Sequence, residues 1–146
     1  MNILVSACLT GQNCKYNAGN NLNRNVVDYI ESHHVIEICP EMLAGMECPR
    51  ACAEIVNGRI MTQHGVDVDA EYRKGVELAL QQINGSKIDL AILQSRSPTC
   101  GVNSIYDGTF HGKLIKGQGL FAQALCKKGI QVVDSEEFIA GQENNS

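Results

Sequence analysis

The chain has 146 residues, 44% of them hydrophobic and 19% charged, which suits one soluble globular domain with one core. A formal net charge of -4 argues against broad electrostatic binding of intact nucleic acid, though not against a single base or nucleoside. The opening run Met1-Asn2-Ile3-Leu4-Val5 has no basic region and no small-residue cleavage site, and no apolar run nears the ~20 residues that span a bilayer, so a cytoplasmic protein without signal peptide or membrane span is expected.

Asn2 to Ala7 is short, continuous and apolar, and reads as a first strand. Cys8 to Gly19 is rich in Gly and Asn and reads as a loop. A first helix is expected from Leu22 to His34, with Val26, Val27 and Ile30 on its apolar face and His33-His34 at its end, where a cationic side chain suits the dipole. Val35 to Ile38 is the second strand, and Cys39-Pro40-Glu41 follows it at once. Met42 to Pro49 reads as a loop or short turn. Ala53 to Val56 and Arg59 to Thr62, separated by Asn57-Gly58, carry a hairpin signal, because Asn-Gly supplies the positive φ of a tight turn.

Asp67 or Asp69 can cap a second helix that runs to about Gln82 and is stopped by Gly85. Leu90 to Gln94 is the third long-range strand. Ser95 to Gly117 has several glycines and no helical period, and reads as a long functional loop in which Tyr106-Asp107-Gly108 could cover a cleft. A third helix spans about Gly119 to Lys128, ended by Gly129, and Ile130 to Val133 is the fourth strand. Ser135 can cap a last helix from Glu136 to Ala140. The polar tail, residues 142–146, is expected to be disordered, leaving a single domain over residues 1–141.

Strands alternating with helices imply right-handed crossovers and a mostly parallel sheet. The expected fold is therefore α/β: one Rossmann-like or flavodoxin-like domain of about four strands in the order 2-1-3-4, with a small β-hairpin insertion. In such a sheet the strand C-termini share one edge, and ligands bind there. Cys8, Cys39 and Cys100 each follow one of three neighbouring strands, spaced ~5 Å apart, so the topology alone brings them together.

Seven cysteines in a chain without secretion signals point to metal or catalysis rather than to disulfides. No Cys-x-x-Cys occurs, so a zinc ribbon, a thioredoxin-like pair and a ferredoxin loop are all disfavoured. Cys100, within Ser95-Arg96-Ser97-Pro98-Thr99-Cys100-Gly101, could alone be a packed thiol, but its neighbours are poor core material. Ser97 either caps a turn or helix, or its hydroxyl faces a bound cofactor and orients a substrate or a water. Pro40 fixes the offset between the Cys39 thiol and the Glu41 carboxylate, which suits a ligand beside a general acid/base. Cys14 is a fourth thiolate or a structural, substrate-proximal residue. Cys48 and Cys52 read as incidental, and Cys126 as helix packing. None of the histidines is paired at metal-ligand spacing.

Ser6-Ala7-Cys8-Leu9, Cys14-Lys15-Tyr16, Cys39-Pro40-Glu41, Pro49-Arg50, Ala53-Glu54, the Ser95–Gly101 run and Tyr106-Asp107-Gly108 together resemble the small bacterial desulfidase family typified by thiouracil desulfidase. The resemblance spans nearly the whole chain, with the motifs in the same order. It implies a [4Fe-4S] cluster held by Cys8, Cys39 and Cys100, with the fourth iron open to substrate sulfur. It implies Glu41 and Ser97 as the catalytic acid/base and its partner, and hydrolysis of a thiolated pyrimidine or nucleoside to the oxo compound and sulfide without redox change. Thr10, Lys15, Asn17-Ala18, Gln94 and Thr99 depart from the common pattern of the family, and none of them is a proposed ligand or catalytic residue. The same residues also permit a non-catalytic module that binds or senses metal or sulfur, or a metal-free cysteine nucleophile. Monomer and homodimer are both open.

Overall fold

A computed structural model describes residues 1–138. In chain order the elements are β1 (Asn2–Ser6), α1 (Arg24–Ile30), β2 (His34–Ile38), α2 (Pro40–Leu43), β3 (Ala53–Val56), β4 (Arg59–Thr62), α3 (Asp69–Ile83), β5 (Leu90–Leu93), β6 (Ser104–Tyr106), β7 (Leu114–Lys116), α4 (Leu120–Lys127) and β8 (Val132–Asp134). A 3₁₀ turn, Ala7–Thr10, follows β1 directly. Strands β2-β1-β5-β8 form one parallel sheet in that order, which is the expected 2-1-3-4 arrangement.

Both faces of the sheet are covered. Ile3 and Val5 of β1, with Leu90 and Ile92 of β5, pack against Val26 and Ile30 of α1 and against Phe138. Leu4, Ala91 and Leu93 face the other way and pack with Val76, Ala79 and Ile83 of α3 and with Phe121 and Leu125 of α4. Successive strand residues alternate faces, so burial on both sides demands the unbroken apolar runs seen in the sequence. Each fully buried Leu or Ile contributes about 1.5–3 kcal/mol relative to exposure.

The β3–β4 hairpin is where Asn57-Gly58 placed it, with φ of 50° at Asn57 and 81° at Gly58. Asp69 fixes this hairpin to α3. Rather than capping the helix, it sits buried in its first turn, where it accepts from the Ile60 backbone N–H (3.0 Å) and from Arg73 Nε (2.7 Å). Burial pushes its carboxyl up, but the Arg73 and Ile60 bonds and the charge of Arg59 outweigh that and hold it below the usual aspartate value. The unfolded chain therefore takes up a proton at higher pH than the folded one. Asp69 stabilises above its unfolded pKa, and this is lost as pH falls through the lower folded value. Asp69→Ala should cost about 2–3 kcal/mol in urea unfolding at neutral pH. The gap to wild type should narrow below pH ~4.

Some expectations are corrected. Helix α1 stops at Ile30, well short of His34, because His34 is already in β2, paired with Asn2. His33 sits instead in the connecting turn, with Nδ1 3.2 Å from the N-terminal amine. The segment Ser95–Gly117 is not wholly irregular, since β6 and β7 pair antiparallel within it. Strands of three residues are too short to show alternation. Cys126 is exposed, because α4 buries Phe121, Ala122 and Leu125 instead. Ser135 Oγ accepts from the Ser95 N–H (3.2 Å), and Asp134 serves the Glu136 N–H (2.9 Å). The end of the last expected helix, Ile139-Ala140, and the tail 142–146 lie outside the described residues. Among those described, no helix is long and apolar enough to cross a membrane.

Candidate active site

The C-terminal ends of β1, β2 and β5 open onto a cavity of about 650 Å³. Cys8, Cys39 and Cys100 all line it, as do Glu41 and Ser97. Cys14 and Cys52 join them on its wall. Each thiol arrives by a different local device. Cys8 sits in the 3₁₀ turn, whose chain reversal is completed by Gly11 at φ 101°. Cys39 occupies the N-cap position of α2, with Pro40 in the first turn, where its missing N–H costs nothing. Cys100 is set by the turn Ser97–Gly101, closed by the Gly101 N–H on the Ser97 carbonyl (2.9 Å).

That turn is seated on the start of α4. The first N–H groups of a helix lack partners within it. Here Leu120 donates to the Pro98 carbonyl (2.9 Å) and Phe121 to the Thr99 carbonyl (2.8 Å), so α4 holds the turn by its backbone. Ser6 Oγ, buried at the end of β1, accepts from the Gln94 N–H (3.0 Å) and ties the two strand ends together.

Ser97 both caps and faces the cavity. Its Oγ accepts from the Thr99 and Cys100 N–H groups, each at 3.0 Å. A hydroxyl has two lone pairs and one proton. With both lone pairs engaged, the remaining O–H can donate into the cavity, and the group is a poor base.

The thiols share one cavity wall. Cys14 is buried, and its carbonyl accepts from the Cys39 thiol at 4.0 Å. The neighbouring Cys39 thiol pulls its pKa down, but the Cys8 thiol and burial push it up to about 11. Cys39 is raised by its bond to Cys14, then by burial and the charge of Glu41. Burial, followed by Glu41, raises Cys100. These thiols hold their protons near neutral pH unless a metal displaces them. Among the described residues, no three His, Cys, Asp or Glu side chains converge closely enough to hold a single ion. An iron–sulfur cluster asks for less convergence, since each thiolate binds its own iron.

Glu41 is the buried carboxylate beside them. Its side chain is 15% exposed, Oε1 has no partner, and Oε2 lies 3.5 Å from Arg50 Nη2. Burial raises its pKa, against the opposing charge of Arg50. Arg50 and Tyr72 also border the cavity, and Tyr72 lies alongside the guanidinium. Tyr72 reads in the sequence only as a helix residue, and Arg50 enters only within the Pro49-Arg50 motif of the resemblance, with no role assigned to it. Cys52, read as incidental, lines the cavity with its Sγ 3.0 Å from Gln63 Oε1. Tyr106 also lines the cavity, in keeping with a covering role for that segment.

Residues 3–137 match the family model described as 2-thiouracil desulfurase. The uncharacterised protein YbbK of Bacillus subtilis (strain 168) is 36% identical over 149 aligned positions, which cover 93% of this chain and 97% of YbbK. Among solved structures, the [4Fe-4S]-dependent thiouracil desulfidase TudS superposes with a TM-score of 0.86 at 36% identity, covering 93% of this chain and 91% of that one.

Proposed function

The chain belongs to the 2-thiouracil desulfurase family, and from that premise we propose that it hydrolyses a thiolated pyrimidine of the 2-thiouracil type to the oxo base and hydrogen sulfide. The reaction is C=S plus H₂O to C=O plus H₂S, with no net electron transfer. The observation that carries this reading is the meeting of Cys8, Cys39 and Cys100 with Glu41 in one cavity.

The donor set fits a [4Fe-4S] cluster. Soft thiolates suit iron–sulfur iron, and Cys8, Cys39 and Cys100 line one cavity. Cys8, Cys39 and Cys100 would hold it. With three protein thiolates one iron would be left for substrate sulfur, a soft Lewis acid suited to polarising a thiocarbonyl.

The rest falls to the chain. Glu41 keeps Oε1 free to accept a proton from water as oxygen attacks carbon, and it returns that proton to the departing side of the substrate. Ser97, with its oxygen already accepting twice, donates its O–H to orient water or the ring.

The test is sulfide release from a panel of thiopyrimidines by protein reconstituted anaerobically with iron and sulfide. Release from 2-thiouracil with stoichiometric uracil is expected, and persistence of activity in the apoprotein with chelator would reject the cluster reading. Cys39→Ser should abolish both visible absorbance and release. Cys126→Ser, on the exposed face of α4, should leave both unchanged.

A further inference from the structure

We propose that Arg50 is the positioning residue of the Glu41 carboxylate, and that it works by clamping together the turns that carry Cys14 and Cys39. What Glu41 does rests on the desulfidase reading above; the clamp rests on geometry alone.

The guanidinium reaches two segments that come from different strands. Nη2 donates to the Cys14 carbonyl at 3.0 Å and faces Glu41 Oε2 at 3.5 Å. Nη1 donates to the Glu47 carbonyl at 3.3 Å, and the Arg50 backbone N–H donates to the Tyr16 carbonyl at 2.6 Å. One residue thus joins the loop after β1 to the chain around α2. Both partners of the ion pair are largely out of solvent, at 12% and 15% exposure, so the contact is little screened by water.

The form of the pair matters more than its existence. Arginine and carboxylate commonly meet through two parallel bonds, which occupy both oxygens. Here only Oε2 faces the guanidinium, and Oε1 and Arg50 Nε are buried without partners. Leaving such atoms unmet is costly, so the arrangement is not the one that maximises stability. It restrains rotation of the carboxyl while leaving one oxygen free for a water or a ring N–H. Lysine offers a point charge without the planar fork, and could not serve the Cys14 carbonyl and Glu41 in the same way.

The test uses anaerobically reconstituted holoenzyme and 2-thiouracil. Arg50→Met, Arg50→Lys and Glu41→Gln are compared singly, and each Arg50 variant is combined with Glu41→Gln. Both Arg50 variants should lower kcat about 10- to 100-fold, the scale of a small misplacement of a reacting group. KM and the visible absorbance of the cluster should change little. In the Glu41→Gln background neither Arg50 change should slow the enzyme further. A purely structural residue would add its loss in both backgrounds, and that result, or wild-type kcat in Arg50→Lys, overturns the proposal. Should Arg50→Met fail to fold, Arg50→Lys carries the same comparison.

Wild-type holoenzyme that keeps its cluster but releases no sulfide would reject the desulfidase reading instead. Amide hydrogen exchange then decides the clamp independently of turnover. Arg50→Lys should speed exchange in residues 13–16 and 41–46, and unchanged exchange there overturns it.

Discussion

Glu41→Gln is expected to keep the reconstituted protein coloured while reducing sulfide release by about 10²–10⁴-fold, the span that general acid–base catalysis commonly supplies. The substitution preserves volume and an oxygen near Arg50 Nη2, and it removes the proton acceptor. Cys8, Cys39 and Cys100, the thiols proposed to hold the cluster, are untouched. The expected signature is therefore a split between intact absorbance and lost turnover. It separates an enzyme from a module that binds or senses sulfur, in which the same change should matter little. Turnover near wild type in Glu41→Gln would remove Glu41 from the chemistry.

The second large effect is expected at two glycines whose missing side chains set the site's dimensions. A Cβ at Gly75 of α3 would lie 2.2 Å from the Pro40 carbonyl oxygen. One at Gly119 would lie 2.4 Å from the Thr99 carbonyl carbon and 2.8 Å from the Cys100 nitrogen. In an ordinary helix interior, Gly→Ala gains about 1 kcal/mol. Here the obstruction is backbone that cannot rotate away, and overpacking of this kind costs about 1–3 kcal/mol or more. Gly75→Ala should therefore be destabilised despite its better helix propensity, and relief of the clash must move the Cys39–Glu41 turn. Gly119→Ala should move the Cys100 turn. Both should lose cluster occupancy on reconstitution, whereas Lys74→Ala, exposed on the same helix as Gly75, should lose neither stability nor cluster. Thermal unfolding and visible absorbance measure the two effects. A Gly75→Ala protein more stable than wild type would show that α2 does not need the close approach.

The fold was legible where burial dictates pattern. Leu90 to Leu93 must be apolar at every position because the strand is covered on both faces, and such runs stand out. The Asn57-Gly58 turn is legible because few residue pairs accept two positive φ values. By contrast, β6 and β7 are three residues each, and Ser104 pairs with Lys116 across a loop whose composition looks irregular. The end of α1 was lost because His34 is committed to β2 by its pairing with Asn2, a tertiary contact.

The same division holds for the site. Cys8, Cys39 and Cys100 meet in one cavity because parallel strands present their C-termini at one edge, and strand order can be read from crossovers. Arg50 and Cys52 reach that cavity from the segment leading into the hairpin, which no periodicity aims. Cys14 is close to Cys8 in sequence, but the contact of its carbonyl with the Cys39 thiol depends on the path of a Gly/Asn-rich loop. The dual use of Ser97, both oxygen lone pairs spent on backbone N–H groups and one proton left over, follows from three-dimensional geometry alone.

The most direct measurement is the iron and acid-labile sulfide content of wild-type protein after anaerobic reconstitution and removal of unbound metal. One shared centre at Cys8, Cys39 and Cys100 predicts a brown protein with about four irons and four sulfides per chain. A colourless protein, or one that keeps a single iron without sulfide, would contradict it.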